Sequence, residues 1–265
     1  MEEATRRWNA VSETVEQVYR AFGRYALAGP ILCEMSGRPI VQANMPLRKR
    51  VVQDFERYQG KAITTLGTVE DYKHFLPRLL DLNTEQHRRR TIFRETISCE
   101  ELMGPSIDLD MIAMKLEYAQ ADSWPTGERD VLQNFGIARW WWELALRENF
   151  GGGVRDAMAL LDSIGRPLYE HLEAAFAAFG QDELIALGTF VNRTVRYAPK
   201  LGFPYFDWVG NHEDDDPLSR WLLSPQVEGA LEDAFFRNSD EAAGEVLSSA
   251  VRQLAWVRSI QAKRN

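Results

Sequence analysis

The sequence predicts an all-α, multi-helix globular protein, with antiparallel helix pairs stacked in an irregular, solenoid-like way. Three observations predict it. Apolar side chains recur every three or four residues, Gly and Pro punctuate these stretches at helix-length intervals, and no strand-like alternation lasts beyond a few positions. Of the 265 residues 45% are hydrophobic and eight are Trp. A chain of this size buries roughly three quarters of its unfolded surface, so it needs neither disulfides nor metals to fold. One domain over residues 1–265 is expected, with 1–100 and 106–265 as its candidate subdomains.

In chain order, Trp8, Val11, Val15, Val18, Phe22 and Tyr25 lie on one helical stripe, which Gly29-Pro30 ends. Ile31 to Val41, holding Gly37 and Pro39, reads as irregular. Pro46 suits a first helical position, and Val51, Val52, Phe55 and Tyr58 follow at helix spacing. Thr68 opens a third helix, its hydroxyl and the Asp71 carboxylate placed for reciprocal capping. Pro77 lacks a donor and crowds the preceding turn, so a kink or break is expected between Phe75 and Arg78, with Leu79, Leu80 and Leu82 packing beyond it. Residues 83–105 hold the basic run Arg88-Arg89-Arg90, read as a solvated loop, and the turn signal Gly104-Pro105.

Ser106 or Asp108 then caps a helix bearing Leu109, Ile112, Leu116 and Ala119. Ser123-Trp124-Pro125 opens a long helix reaching about Asn149, closed by Gly151-Gly152-Gly153. Further helices are expected at about 154–164, 167–179, 181–197, 217–223, 225–237 and 239–261, and Leu201 to Gly210 reads as a packed loop.

Charge is unevenly spread. Residues 1–100 carry 16 Lys and Arg against 13 Asp and Glu, whereas residues 101–265 carry 15 against 26. That acidity disfavours nucleic acid, which needs clustered cations along its phosphates, and suits a protein partner with a basic surface. The opening Met1-Glu2-Glu3-Ala4-Thr5-Arg6-Arg7 has no apolar signal region and no run matches a membrane span, so a cytoplasmic protein away from membranes is expected. Cys33 and Cys99 are too few for a disulfide framework or a four-Cys zinc site, and read as reduced and buried, with a Cys33–Cys99 bridge as the alternative.

Residues 61–82 read Lys-Ala-Ile-Thr-Thr-Leu-Gly-Thr-Val-Glu-Asp-Tyr-Lys-His-Phe-Leu-Pro-Arg-Leu-Leu-Asp-Leu. The segment resembles the core of a widespread bacterial family of unassigned function, whose members carry a TTWG…DD(F/Y)KHFLPR(I/L)LEL pattern and a following Trp-Pro pair, matched here by Trp124-Pro125. A weaker likeness covers roughly residues 15–145. Members often carry a tight cysteine cluster before this segment. Here Leu32-Cys33-Glu34-Met35-Ser36 stands in its place, so no metal or redox role carries over. The resemblance implies a helical fold and a bacterial source.

Several constellations compete with plainer readings. Asp71, His74 and Arg78 share a helical neighbourhood in which a carboxylate could orient an imidazole base beside an anion-binding guanidinium; the plainer reading is a capped helix with a paired polar face. Trp140, Trp141 and Trp142 cannot face one core at 100° per residue. The main stripe runs through Val131, Phe135, Ala138, Trp142 and Ala145, leaving Ile137, Trp140 and Leu144 as a candidate exposed anchor or as the second buried face of a sandwiched helix. Glu213, Asp214 and Asp215 form a candidate docking loop for a basic partner, and Asp216 before Pro217 reads as a helix cap. The three glycines at 151–153 lack the cation and strand of a phosphate loop and read as a helix–helix hinge. His74, His87, His171 and His212 form no ligand pair, so neither metal nor cofactor is expected.

With no catalytic constellation, the expected function is a protein–protein interaction module, in its sharpest form an immunity-type protein that neutralises a cognate bacterial toxin. The alternatives are an enzyme built on Asp71, His74 and Arg78, or a structural scaffold.

Overall fold

A computed structural model of the chain describes residues 2–32, 39–41, 45–92, 104–146, 153–198, 203–206, 216–238 and 240–264. Cys33, Cys99, His212 and the Glu213–Asp215 docking loop lie outside the described residues. The all-α prediction holds: the described residues form eleven α-helices and four short strands. They fall into two compact units, residues 1–167 and 168–265.

In the first unit, α1 (Glu2–Phe22) buries the predicted stripe of Val11, Val15, Val18 and Phe22. Residues 31–41, read as irregular, contribute a small antiparallel pair, β1 (Ile31–Leu32) with β2 (Pro39–Val41). The helix expected after Pro46 is only a 3-10 turn at Leu47–Lys49 and the single turn α2 (Val52–Phe55), although Phe55 and Tyr58 are buried as their spacing implied.

The third helix departs most from expectation. α3 (Val69–Ile92) runs unbroken through Pro77 and carries Arg88, Arg89 and Arg90 on its last turns instead of in a loop. An interior proline costs about 3 kcal/mol, but Phe75, Leu76, Leu79 and Leu80 around it are fully buried. Each such side chain contributes about 1.5–3 kcal/mol on burial, so packing outweighs the proline. Its N-terminus is capped as predicted. The Thr68 N–H donates to Asp71 Oδ2 at 2.8 Å, and the Asp71 N–H donates to Thr68 Oγ1 at 3.2 Å. Asp71→Ala is therefore expected to cost about 1 kcal/mol in a urea unfolding experiment, as the loss of a cap does.

α4 (Leu109–Tyr118) is followed by a 3-10 turn at Ala121–Ser123, and Pro125 then precedes α5 (Thr126–Ala145). α5 is packed by α1 on one side and by α6 (Gly153–Ser163) on the other, and α4 packs on α6. Gly165, at a φ of +64°, ends α6 in the left-handed conformation, its N–H donating to the Asp162 carbonyl at 2.9 Å.

The second unit holds α7 (Leu168–Ala175), α8 (Gln181–Thr194), α9 (Pro217–Leu222), α10 (Pro225–Arg237) and α11 (Glu241–Arg264). α11 packs on α8 and α10 around Leu187, Leu231, Leu247 and Leu254. The predicted helix at 181–197 stops at Thr194. Its last residues and part of the expected loop instead form a hairpin, β3 (Val195–Ala198) with β4 (Phe203–Phe206), in which Val195 faces Phe206 and Ala198 faces Phe203. A two-stranded ribbon has only edges, which is where Pro204 is tolerated. Asp216 caps α9 as its sequence position implied, accepting from the Ser219 N–H at 2.8 Å, with Pro217 at the first helical position.

Candidate functional site

The Asp71, His74 and Arg78 group does not assemble as a site. Asp71 is occupied by the Thr68 cap. His74 Nδ1 lies 2.8 Å from the Tyr25 carbonyl oxygen; a carbonyl only accepts, so Nδ1 carries the proton. Arg78 donates from Nε to the Arg50 carbonyl at 2.9 Å and from Nη1 to Asp81 at 2.5 Å. Asp81 also accepts from Tyr19 at 2.9 Å. Asp71 is committed to a local cap and His74 and Arg78 to separate tertiary contacts, and the carboxylate expected to orient His74 is not bonded to it.

Their neighbour Lys73 anchors a buried polar cluster. Its Nζ donates to Glu128 Oε2 at 2.8 Å and lies 4.1 Å from the centre of the Trp124 ring. The Tyr25 hydroxyl donates to Glu128 Oε1 at 2.6 Å, and Arg24 also pairs with that carboxylate. Burial alone pushes the Glu128 carboxyl up, but its bonds to Lys73, Tyr25 and Arg24 outweigh burial and hold it below the usual range.

The exposed-anchor reading of Ile137, Trp140 and Leu144 is overturned. Trp140 is 0% exposed and Leu144 only 5%, while Ile137 is half-buried. The reason is the two-sided packing of α5, which covers both of its apolar faces. Trp140 stacks edge-on against Trp141 at 4.7 Å, and Trp142 meets Trp8 of α1 at 5.1 Å. All three tryptophans are thus core.

The covered surface of α5 also takes in charge that apolar periodicity could not anticipate. Arg139 and Glu143, one turn apart, are both buried and joined Nε to Oε1 at 2.7 Å. His87 Nε2 of α3 lies 3.0 Å from Glu143 Oε1 and 3.1 Å from Oε2, and Arg139 Nη1 lies 3.3 Å from Asn83 Oδ1. Burial raises the Glu143 carboxyl, but Arg139 and then His87 more than compensate and leave it depressed. Gly153, the first residue of α6, makes room for this carboxylate: a methyl group there would overlap it. The glycine that suggested a phosphate loop therefore sits against the protein's own anion.

An open concave feature lies elsewhere in the same unit. A groove of about 930 Å³ runs between α4, the 3-10 turn after it and α6. Its walls present Asp110 and Glu117 from α4, Asp122 from the turn and Asp162 from α6, and among the described residues no Lys, Arg or His lines it. Asp110, Glu117 and Asp122 have no ion-pair partner among the described residues. Ala113, Met114 and Ala159 supply an apolar strip along it. Met114 is 46% exposed, and Tyr118, one helical turn further along α4, is 65% exposed. Asp110, Met114 and Glu117 fall at i, i+4 and i+7, one face of α4. Sequence reading passed over these residues. The surplus of acid after residue 100 was the only signal, because what makes the groove is the pairing of α4 with α6 across forty residues.

At one end of this face stands Asp156, half-buried on α6 and without a hydrogen bond or ion pair among the described residues. Burial, and then the negative charges of Asp110 and Glu143, push its carboxyl up to about 6, against the opposing pull of Arg139 and Arg155. A carboxyl raised in the folded state binds its proton more tightly than in the unfolded chain, so stability falls as pH rises from about 4 to about 6. Asp156→Asn is expected to raise the melting temperature at pH 8 and leave it nearly unchanged at pH 4. The gain should be about 1 kcal/mol once the partial exposure of the group is discounted.

Among the described residues no group of three or more His, Cys, Asp or Glu side chains is placed to hold a metal ion, and no helix is long and apolar enough to cross a membrane. No family model, curated protein or solved structure matches the chain.

Proposed function

We propose that this chain is a protein-interaction module that takes a basic, amphipathic partner segment into the groove between α4 and α6. One observation carries the reading: carboxylates wall the groove, no cation lines it among the described residues, and exposed Met114 and Tyr118 lie alongside. A segment with Lys or Arg on one side and aliphatic residues on the other matches that combination, since charge steers and selects while apolar contact anchors. Methionine adapts its shape to such contacts. In its sharpest form the module is an immunity-type protein, whose acidic groove would cover the basic substrate-binding face of a cognate toxin. The alternative of an enzyme built on Asp71, His74 and Arg78 is not favoured, because each of these side chains serves a separate structural contact.

The test uses a synthetic amphipathic helix of Lys and Leu as the probe. Titrated into the wild-type protein, it should bind, and binding should weaken as salt is raised. Reversing Asp110 and Asp122 together to Lys should weaken it by about tenfold or more, because two like charges then meet the peptide. Equal affinity for wild type and the double variant would remove the groove as the docking surface.

A further inference from the structure

Asp156 gives the groove a further property. It lies on α6 three residues before Ala159 and seven before Ser163, both of which line the groove, so it extends that face toward the first turn of α6. Asp110, across from it on α4, is a groove wall. Behind it, Glu143 of α5 lies against Gly153. Three carboxylates, those of Asp110, Asp156 and Glu143, thus lead from the groove into the core.

The basic side chains nearby are already engaged. Arg139 and His87 are bonded to Glu143, and Arg155 is the neighbour of Asp156 on its own helix. Position in the first helical turn favours an anion, but burial and two like charges dominate at Asp156.

We infer that filling the groove and ionising Asp156 are one coupled event: a cationic side chain seated on Asp110 drives the proton off Asp156, so a basic partner binds with proton release. The balance is simple. The Asp156 O–H breaks, its proton goes to solvent, and the carboxylate left behind gains an opposite charge within the groove. Linkage is reciprocal, so deprotonating Asp156 also tightens the partner's hold. Affinity for a basic segment should therefore climb as pH rises through about 6. This inference rests on the groove reading, and its two experimental arms separate its failure from the failure of that reading.

The first arm needs no ligand. The Asp156 side-chain carboxyl is titrated by carbon-detected NMR in the wild type and in Asp110→Lys, which places a cation at the groove wall. The expected midpoint is about 6 in the wild type and about one unit lower in the variant, since an opposite charge nearby favours the ionised form. A wild-type midpoint in the ordinary aspartate range, or one that Asp110→Lys leaves unmoved, overturns the coupling.

In the second arm the Lys-Leu peptide is titrated into the wild type and Asp156→Asn at pH 5 and pH 7.5. The wild type should bind about five- to tenfold more tightly at the higher pH, the equivalent of roughly one unit of pKa change on binding. Asp156→Asn should lose that pH dependence. Binding that is equally pH-independent in both proteins would refute the coupling and leave the groove standing. No binding at either pH would remove the groove itself, and with it the partner half of the inference.

Discussion

Glu143→Ala is expected to destabilise the first unit by about 3–5 kcal/mol, the cost of leaving a buried charge without its partner. Arg139 would keep only Asn83 Oδ1, at 3.3 Å, and the face of Trp142, at 4.9 Å. Urea unfolding at neutral pH measures the loss. A companion double variant, Arg139→Met with Glu143→Leu, should recover most of it, because a buried ion pair is often no more stabilising than apolar side chains of similar size. The pH dependence has a definite sign. The folded carboxyl is depressed below its unfolded value, so its contribution is complete above the unfolded pKa and disappears as pH falls through the folded one. The wild type should therefore lose stability on acidification while Glu143→Ala changes less, and the two should converge. A loss below about 1 kcal/mol at neutral pH would mean that Arg139 finds water instead.

The second large effect is expected at Glu128. Its carboxylate accepts from Lys73 and Tyr25 and pairs with Arg24, so Glu128→Ala strands a buried ammonium between the Tyr25 and Trp124 rings. The expected loss is about 3 kcal/mol, somewhat less than at Glu143 because Arg24 is exposed and easily resolvated. Lys73→Met in the Glu128→Ala background should restore part of it. The folded Glu128 carboxyl is also depressed, so the same acid convergence applies. Asp156 acts in the opposite sense between about pH 4 and 6. Acid unfolding of the first unit should therefore set in only where Glu128 and Glu143 protonate.

These clusters explain what the sequence could and could not reveal. The Thr68–Asp71 cap, the Asp216 cap and the Val11–Phe22 stripe were legible because each depends on residues within a few turns of one another. Of the kink or break expected at Pro77, the break does not occur: proline opposes helix, but four buried neighbours keep it continuous. The fate of Trp140 turned on how many helices cover α5, which no spacing along one helix records. Arg139 and Glu143 were passed over because charge on a helix is ordinarily solvated, and only their mutual placement with His87 explains their burial.

The 61–82 segment and the Trp124-Pro125 pair meet where Lys73 lies over the Trp124 ring and pairs with Glu128. Thr68 and Asp71 cap α3, and Lys73, His74 and Arg78 tie it to its neighbours, so these side chains have structural roles.

The most direct measurement is amide chemical-shift mapping of the wild-type protein during titration with the Lys-Leu amphipathic peptide. Perturbations are expected to concentrate on Asp110–Asp122 and Ala159–Gly165, centred on Met114 and fading as salt is raised. Perturbations centred on other helices, or none at concentrations that saturate a cationic probe, would contradict docking in the groove.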